Sequence, residues 1–186
     1  MTHQIKTYKE YQKKYEESVK NPERFWAKQA KTFTWIKPWK KVLESDFKTP
    51  DVKWFVDGKM NITVNCLDRH LEERGDETAL IWEPNDPSQP FKTYTYLELY
   101  TEVCRCANML KASGIKKGDR VCFYMPMVAE LTIAVLACAR IGAVHSVVFA
   151  GFSSEALSSR IAASNSQVVI TADVGMRGTK EIKLTK

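Results

Sequence analysis

Two glycine-containing stretches hold the residues of this chain best suited to gripping a ligand: Phe149-Ala150-Gly151-Phe152-Ser153 and Asp173-Val174-Gly175-Met176-Arg177-Gly178-Thr179-Lys180. Gly151 and Gly178 let backbone approach a phosphate closely, and Arg177 and Lys180 bring positive charge to it. A helix starting near Ser154 would add unpaired amide groups. Glycine loops with two basic residues are also common solvated surface, so residue types alone leave both readings open. Other chemistry is poorly represented. The G-x-G-x-x-G, P-loop, H-E-x-x-H and nucleophile-elbow patterns are missing. Of the three histidines, His3 lies at the terminus, His70 on a predicted helix and His145 inside an apolar strand, none with a carboxylate or cysteine at a telling spacing. The five cysteines, at 66, 104, 106, 122 and 138, make no C-x-x-C pair. All but Cys66 fall in apolar periodic segments as small buried hydrophobes, which argues against a disulfide framework or a zinc site.

The elements that would position the two stretches begin near Asn61. Asn65 is expected to cap a helix carrying Leu67 and Leu71 and ended by Gly75. Thr78–Trp82 and Phe91–Tyr94, separated by Pro84-Asn85-Asp86-Pro87, predict a hairpin. Thr95 and Glu98 have capping-box spacing, and Tyr96, Leu99, Tyr100, Val103, Cys106, Ala107 and Leu110 follow at helical period up to Gly114. Strands are predicted at Val121–Met125, Val144–Phe149 and Val168–Thr171, alternating with helices near Val128–Ile141 and Ser154–Ala163. Strands apolar on both sides and alternating with helices predict an α/β fold with a parallel or mixed sheet covered by helices on both faces. In such a sheet, ligands sit beyond the carboxyl ends of the strands, where both glycine stretches fall.

Residues 1–60 read differently. Thr7 and Glu10 open an amphipathic helix with Tyr8, Tyr11, Tyr15 and Val19 on one thin stripe, and Asn21-Pro22 opens a second carrying Phe25, Trp26 and Ala30. From Lys31 to Met60, Trp35, Trp39, Phe47, Trp54 and Phe55 follow neither period. This segment is expected to be an irregular aromatic arm, ordered by draping over the α/β body. The net charge of +6 resides here: 14 Lys/Arg stand against 8 Asp/Glu in residues 1–60, and 14 against 14 in residues 61–186. Bases alternate with acids, as on a solvated helix face, which disfavours a nucleic-acid footprint.

With 186 residues, 44% hydrophobic and 27% charged, the chain is too apolar for disorder and long enough to bury a core. Its longest uncharged apolar run, Leu131–Ala139, is far short of the roughly 20 residues that cross a bilayer. The N-terminus lacks signal or transit character, so the cytoplasm is the expected compartment.

Longer strings carry a resemblance. Phe25-Trp26-Ala27-x-Gln29-Ala30, Lys53-Trp54-Phe55-Val56-x-Gly58-Lys59-x-Asn61, Asn65-Cys66-Leu67-Asp68-Arg69-His70-Leu71, Lys116-Lys117-Gly118-Asp119-Arg120-Val121, Tyr124-Met125-Pro126-Met127 and Leu136 through Phe149 together resemble the opening part of the acetyl-coenzyme A synthetase family. These are AMP-forming short-chain acyl-CoA synthetases of the adenylate-forming superfamily. The resemblance implies that residues 1–60 are an N-terminal extension and residues 61–186 the first part of the large N-terminal α/β domain. It further implies acetate, ATP, Mg and coenzyme A as substrates and cofactors, with catalytic residues in the remainder of the parent enzyme, so that this chain alone would be inactive. The aromatic arm and Gly151-Phe152-Ser153 favour acetate over propionate or acetoacetate. Phe149, Ala150 and Gly151 match the loop packing on the adenine end of coenzyme A, and Arg177, Gly178, Thr179 and Lys180 match a basic loop on its phosphates. Ala150 and Thr179 stand where glycine is common in the family, and Lys180 where arginine often occurs. The sequence stops within the charged stretch Lys180–Lys186, and a fragment is therefore expected. A stand-alone nucleotide or coenzyme A binding module, a propionate ligase, and a basic interaction arm on a small carrier are the alternatives.

Overall fold

The computed structural model of the chain describes residues 4–185, which divide into two compact units, residues 4–60 and 61–185. In the first unit, α1 (Tyr8–Lys20) is opened by Thr7, whose hydroxyl accepts from the Glu10 amide at 3.2 Å. The stripe forms as expected: Tyr8, Tyr11 and Tyr15 stack in succession, with neighbouring ring centres 6.2 Å apart. In α2 (Pro22–Ala30) proline takes the first turn, but Asn21 makes no side-chain cap, and its N–H instead closes the last turn of α1 on the Glu17 carbonyl.

The segment after α2 is not the irregular arm that the sequence suggested. Strands β1 (Lys41–Asp46) and β2 (Asp51–Val56) form an antiparallel hairpin in which Leu43 faces Trp54 and Ser45 faces Val52. The aromatic rings pack on one another within this unit: Trp35 on Trp39 at 4.9 Å, Trp39 on Phe55 at 5.3 Å, and Trp26 edge-on to Trp54 at 6.3 Å. The Trp35 indole N–H donates to the Ala30 carbonyl at 2.8 Å. Ring pairs of this kind add to the area they bury, and they tie a segment without helical period to itself and to α2 by aromatic contacts within this unit.

In the second unit the cap is Asn61, not Asn65. Its carboxamide oxygen accepts from the Thr63 amide at 2.9 Å and opens α3 (Ile62–Cys66). Its amide nitrogen donates to the Arg140 carbonyl at 3.0 Å. A 3-10 turn at Asp68–His70 and the short α4 (Leu71–Arg74) follow, so the single helix expected up to Gly75 is broken at Leu67. Strands β3 (Thr78–Trp82) and β4 (Lys92–Thr95) form the expected hairpin, with an irregularity near Thr78. The Thr95–Glu98 capping box closes in both directions at the start of α5 (Tyr96–Ala112).

The sheet that positions the candidate site is parallel and three-stranded, in the order β6 (Val144–Phe149), β5 (Arg120–Met125), β7 (Val168–Thr171). Parallel neighbours need crossover connections, and here they are made by α6 (Ala129–Ile141) and α7 (Ser154–Ser164). Alternation along β5 divides the core. Val121, Phe123 and Met125 face the cluster built with α5 and α6, whereas Cys122 and Tyr124 pack with Val148, Leu157 and Ile161 on the other side. Helices therefore cover both faces of β5. The outer strands are less protected, with Val147 on β6 and Val169 on β7 exposed.

Burial also sets the cysteine chemistry. It pushes the Cys106 and Cys122 thiols up, and Cys138, beside Cys106, from an ordinary 9.0 up to about 11. Because the folded state favours the neutral thiol, the stability this contributes is complete below pH 9 and is lost as pH climbs from about 9 toward about 11. At pH 7.5 iodoacetamide should alkylate the exposed Cys66 long before Cys122 or Cys138, since the thiolate is the nucleophile. Peptide mapping that finds Cys138 labelled as fast as Cys66 would contradict this burial.

Candidate functional site

Tyr124, the penultimate residue of β5, organises the first glycine stretch. Its phenol lies 3.1 Å from the Ala150 carbonyl and 2.9 Å from the Phe152 carbonyl, sharing one hydrogen between them. The Phe152 amide donates to the Phe149 carbonyl at 3.0 Å, so residues 149–152 form a turn. Within it Phe149 is 57% exposed and meets Phe152 edge-on at 5.9 Å, and the Arg160 guanidinium lies 4.6 Å from the centre of the Phe152 ring. A side chain at Gly151 would come within 2.5 Å of the Phe149 ring, so only glycine leaves that ring its place. Ala150 is buried. The turn thus presents exposed aromatic surface, from Phe149 and Phe152, on a fixed backbone, which suits stacking of a planar ring.

Of the unpaired amides expected at the start of α7, that of Ala156 is already taken. Ser153 accepts from the Ala156 amide at 3.3 Å. Glu155 turns its carboxylate back on its own backbone N–H and on the Ser153 and Ser154 hydroxyls, which holds its carboxyl below the usual range. An anion would meet the negative charge of Glu155 there.

The second stretch is a hairpin and not the loop expected from the sequence. Strands β8 (Val174–Arg177) and β9 (Lys180–Lys183) pair antiparallel, with Arg177 opposite Lys180. Gly178 and Thr179 make the two-residue connection, and Gly178 takes φ +59°, a left-handed conformation that such a connection commonly assigns to glycine. The base is anchored beside the sheet. Gly175 is buried against Pro126, which follows β5, and the Leu184 amide donates to the Asp173 carbonyl at 2.9 Å. Above it, Arg177 and Lys180 are exposed, and among the described residues neither has an ion-pair partner. The Asp173 carboxylate instead accepts from the Val174 amide at 3.0 Å.

Both stretches therefore stand at the carboxyl end of the sheet. Among the described residues no hydrogen bond, ion pair or ring contact joins the 149–152 turn to the 177–180 tip; they share an edge and not a contact. Thr171, at the end of β7, ties that strand to β5 by donating to the Tyr124 carbonyl at 2.8 Å. Sequence reasoning missed Tyr124, Thr171 and Asn85. For Tyr124 the signal was available, because a tyrosine in an apolar strand needs a partner for its hydroxyl. Asn85, in the connection between β3 and β4, read only as a turn residue, yet its amide donates to the Gly178 carbonyl at 2.6 Å. Among the histidines, His70 packs on Tyr96 at 5.1 Å, His145 is exposed on β6, and His3 lies outside the described residues. Among the described residues no group of three or more His, Cys, Asp or Glu side chains is placed to hold a metal ion, and no helix is long and apolar enough to cross a membrane.

Residues 67–186, nearly the whole α/β unit, match the family model described as AMP-binding enzyme. The chain belongs to that family. Residues 11–66 match the model described as acetyl-coenzyme A synthetase N-terminus. The chain is 56% identical over 174 residues to an acetyl-coenzyme A synthetase of Vibrio vulnificus strain CMCP6, an alignment covering 92% of this chain and 27% of the relative. It is 55% identical over 175 residues to one from Bdellovibrio bacteriovorus, covering 94% of this chain and 27% of the relative. Over 186 residues it is 54% identical to one from Yersinia pseudotuberculosis, covering 99% and 28% respectively. The chain thus spans about a quarter of the length of the curated relatives it matches.

Proposed function

We propose that this AMP-binding family chain is the opening part of an AMP-forming acetate:CoA ligase, and that it supplies part of the coenzyme A nucleotide site. The observation that carries the reading is the 56% identity, over nearly the whole chain, to a protein named acetyl-coenzyme A synthetase. Residues 1–60 are the N-terminal extension of that enzyme and residues 61–186 the first part of its large α/β domain, at work in the cytoplasm. In the first half-reaction an acetate oxygen bonds to the α-phosphorus of Mg-ATP, and pyrophosphate leaves. In the second the coenzyme A thiol, losing its proton, attacks the acyl carbon, and AMP leaves.

This chain's own residues act on the second substrate. The exposed Phe149 ring, set by Gly151 and by the Tyr124 hydroxyl, receives the adenine. Arg177 and Lys180, on either side of Gly178 and Thr179, meet the nucleotide phosphates. Two cations directly opposite each other on a hairpin repel, and neither is neutralised by a carboxylate among the described residues. An arriving polyphosphate offsets that repulsion. Lys180 acts as a mobile point charge and Arg177 as a fork.

The test replaces the matching segment of the Vibrio vulnificus relative with residues 1–186. The grafted enzyme should form acetyl-CoA and AMP, with acetate preferred over propionate, while residues 1–186 alone should give no acetate-dependent ATP–pyrophosphate exchange. A folded graft that binds coenzyme A but forms no adenylate would overturn the ligase reading in favour of a binding module.

A further inference from the structure

Arg177 and Lys180 sit at the end of a hairpin of two four-residue strands, an element that is marginal in water without support. Its base has that support in Pro126, Leu184 and the Asp173–Leu184 hydrogen bond. At its tip the facing cations push apart. The bond that reaches the tip from elsewhere comes from Asn85, 93 residues away in sequence, whose Nδ2 lies 2.6 Å from the carbonyl of the left-handed Gly178. The Asn85 loop is itself stiffened next door. The Asp86 carboxylate accepts from both the amide and the hydroxyl of Ser88, at 2.9 and 2.7 Å, and the Asp86 carbonyl accepts from the Gln89 amide at 3.1 Å. An Asx turn of this kind fixes the backbone on which Asn85 stands.

We infer that Asn85 is a positioning residue for the phosphate-binding cations: by holding the Gly178 carbonyl it sets the tip of the hairpin, and with it the spread between Arg177 and Lys180 that a nucleotide polyphosphate spans. Its carboxamide touches no ligand. It acts by pre-organisation, lowering the ordering cost that binding would otherwise meet. The inference rests on the coenzyme A reading above and adds to it a residue from a different hairpin.

The test compares Asn85→Ala, Asn85→Gln and Arg177→Ala in the grafted enzyme, and follows amide hydrogen exchange at residues 177–180 in the 186-residue chain. One neutral hydrogen bond corresponds to a two- to tenfold effect, so Asn85→Ala should raise the KM for coenzyme A about threefold and speed exchange at the tip, with acetate and ATP parameters in pyrophosphate exchange unchanged. Asn85→Gln, which keeps the donor, should recover part of the loss. If Arg177→Ala raises the coenzyme A KM and Asn85→Ala does not, the positioning role is wrong and the site stands. If neither moves it, the coenzyme A reading itself fails and this inference with it. Equal losses by Asn85→Ala in pyrophosphate exchange and in thioester formation would make Asn85 merely structural and overturn the role.

Discussion

Arg140→Ala should lower the stability of the chain by about 2–3 kcal/mol, the largest single effect expected outside the hydrophobic core. Arg140, in the last turn of α6, has a side chain 20% exposed, and its guanidinium grips Asp68 in a two-pronged pair at 2.8 and 2.9 Å, Asp68 being 27% exposed. The same group donates to the Thr63 hydroxyl at 3.3 Å and lies 4.8 Å from the centre of the Tyr100 ring. Removing it strands a half-buried carboxylate, and breaking a buried pair costs more than the pair itself contributes. Residual hydration of Asp68 puts the cost below the 3–5 kcal/mol of fully buried cases. A Tm lowered by roughly 4–12 °C is the expected readout. Arg140→Lys should recover only part of it, because an ammonium supplies neither the fork nor the flat face that stacks on Tyr100. Asp68→Asn combined with Arg140→Met should cost less than Arg140→Ala alone. A melting temperature within 2 °C of the unmodified chain would show that the pair is a surface pair in effect.

The second large effect is on coenzyme A. Arg177→Ala in the grafted ligase should raise the KM for coenzyme A roughly tenfold, leaving acetate and ATP in pyrophosphate exchange nearly unmoved. A charge-assisted hydrogen bond to phosphate contributes about 1.5–3 kcal/mol, and the exposure of the hairpin tip, where salt screens the charge, selects the low end. Each 1.4 kcal/mol is a factor of ten. Lys180→Ala should do less, its ammonium being more hydrated and more mobile. Among the described residues no ion pair joins Asp173 to Arg177; one Asp173 oxygen accepts from the Val174 amide. Equal losses in both half-reactions, or none in either, would remove Arg177 from the nucleotide site.

The α/β alternation was legible because it rests on local pattern. The apolar runs at 121–125, 144–149 and 168–171 stand within a residue of the observed strands, and the Thr95–Glu98 spacing closes as a capping box. What sequence could not decide was a choice between equivalent local signals. Asn61 and Asn65 are both fit to cap, and the choice of Asn61 goes with its reach to the carbonyls of Ala139 and Arg140, far along the chain. Gly175 weakens the strand pattern of Val174–Arg177, and its reason for being there is Pro126. In β2 the alternation Val52, Trp54, Val56 was present but masked by Phe55, whose φ of +51° departs from extended geometry. The candidate site followed the same division. Its glycines and cations were visible, whereas Tyr124 and Asn85 act through partners that no spacing announces.

Strand β5 contributes Val121 and Phe123 to one core and Cys122 to the other, all three with no exposed surface. The two cores therefore cannot melt independently, because opening either face of the sheet unseats the strand that holds the other. The crossover helices α6 and α7, the 149–152 turn that Tyr124 pins and the hairpin resting on Pro126 are all tied to that strand. Solvent exchange at its amides is then governed by global unfolding, whereas the hairpin tip, anchored at its base and by Asn85, opens and closes at far lower free energy. The hairpin tip proposed to meet a nucleotide is thus expected to open at lower free energy than the strand on which it is mounted.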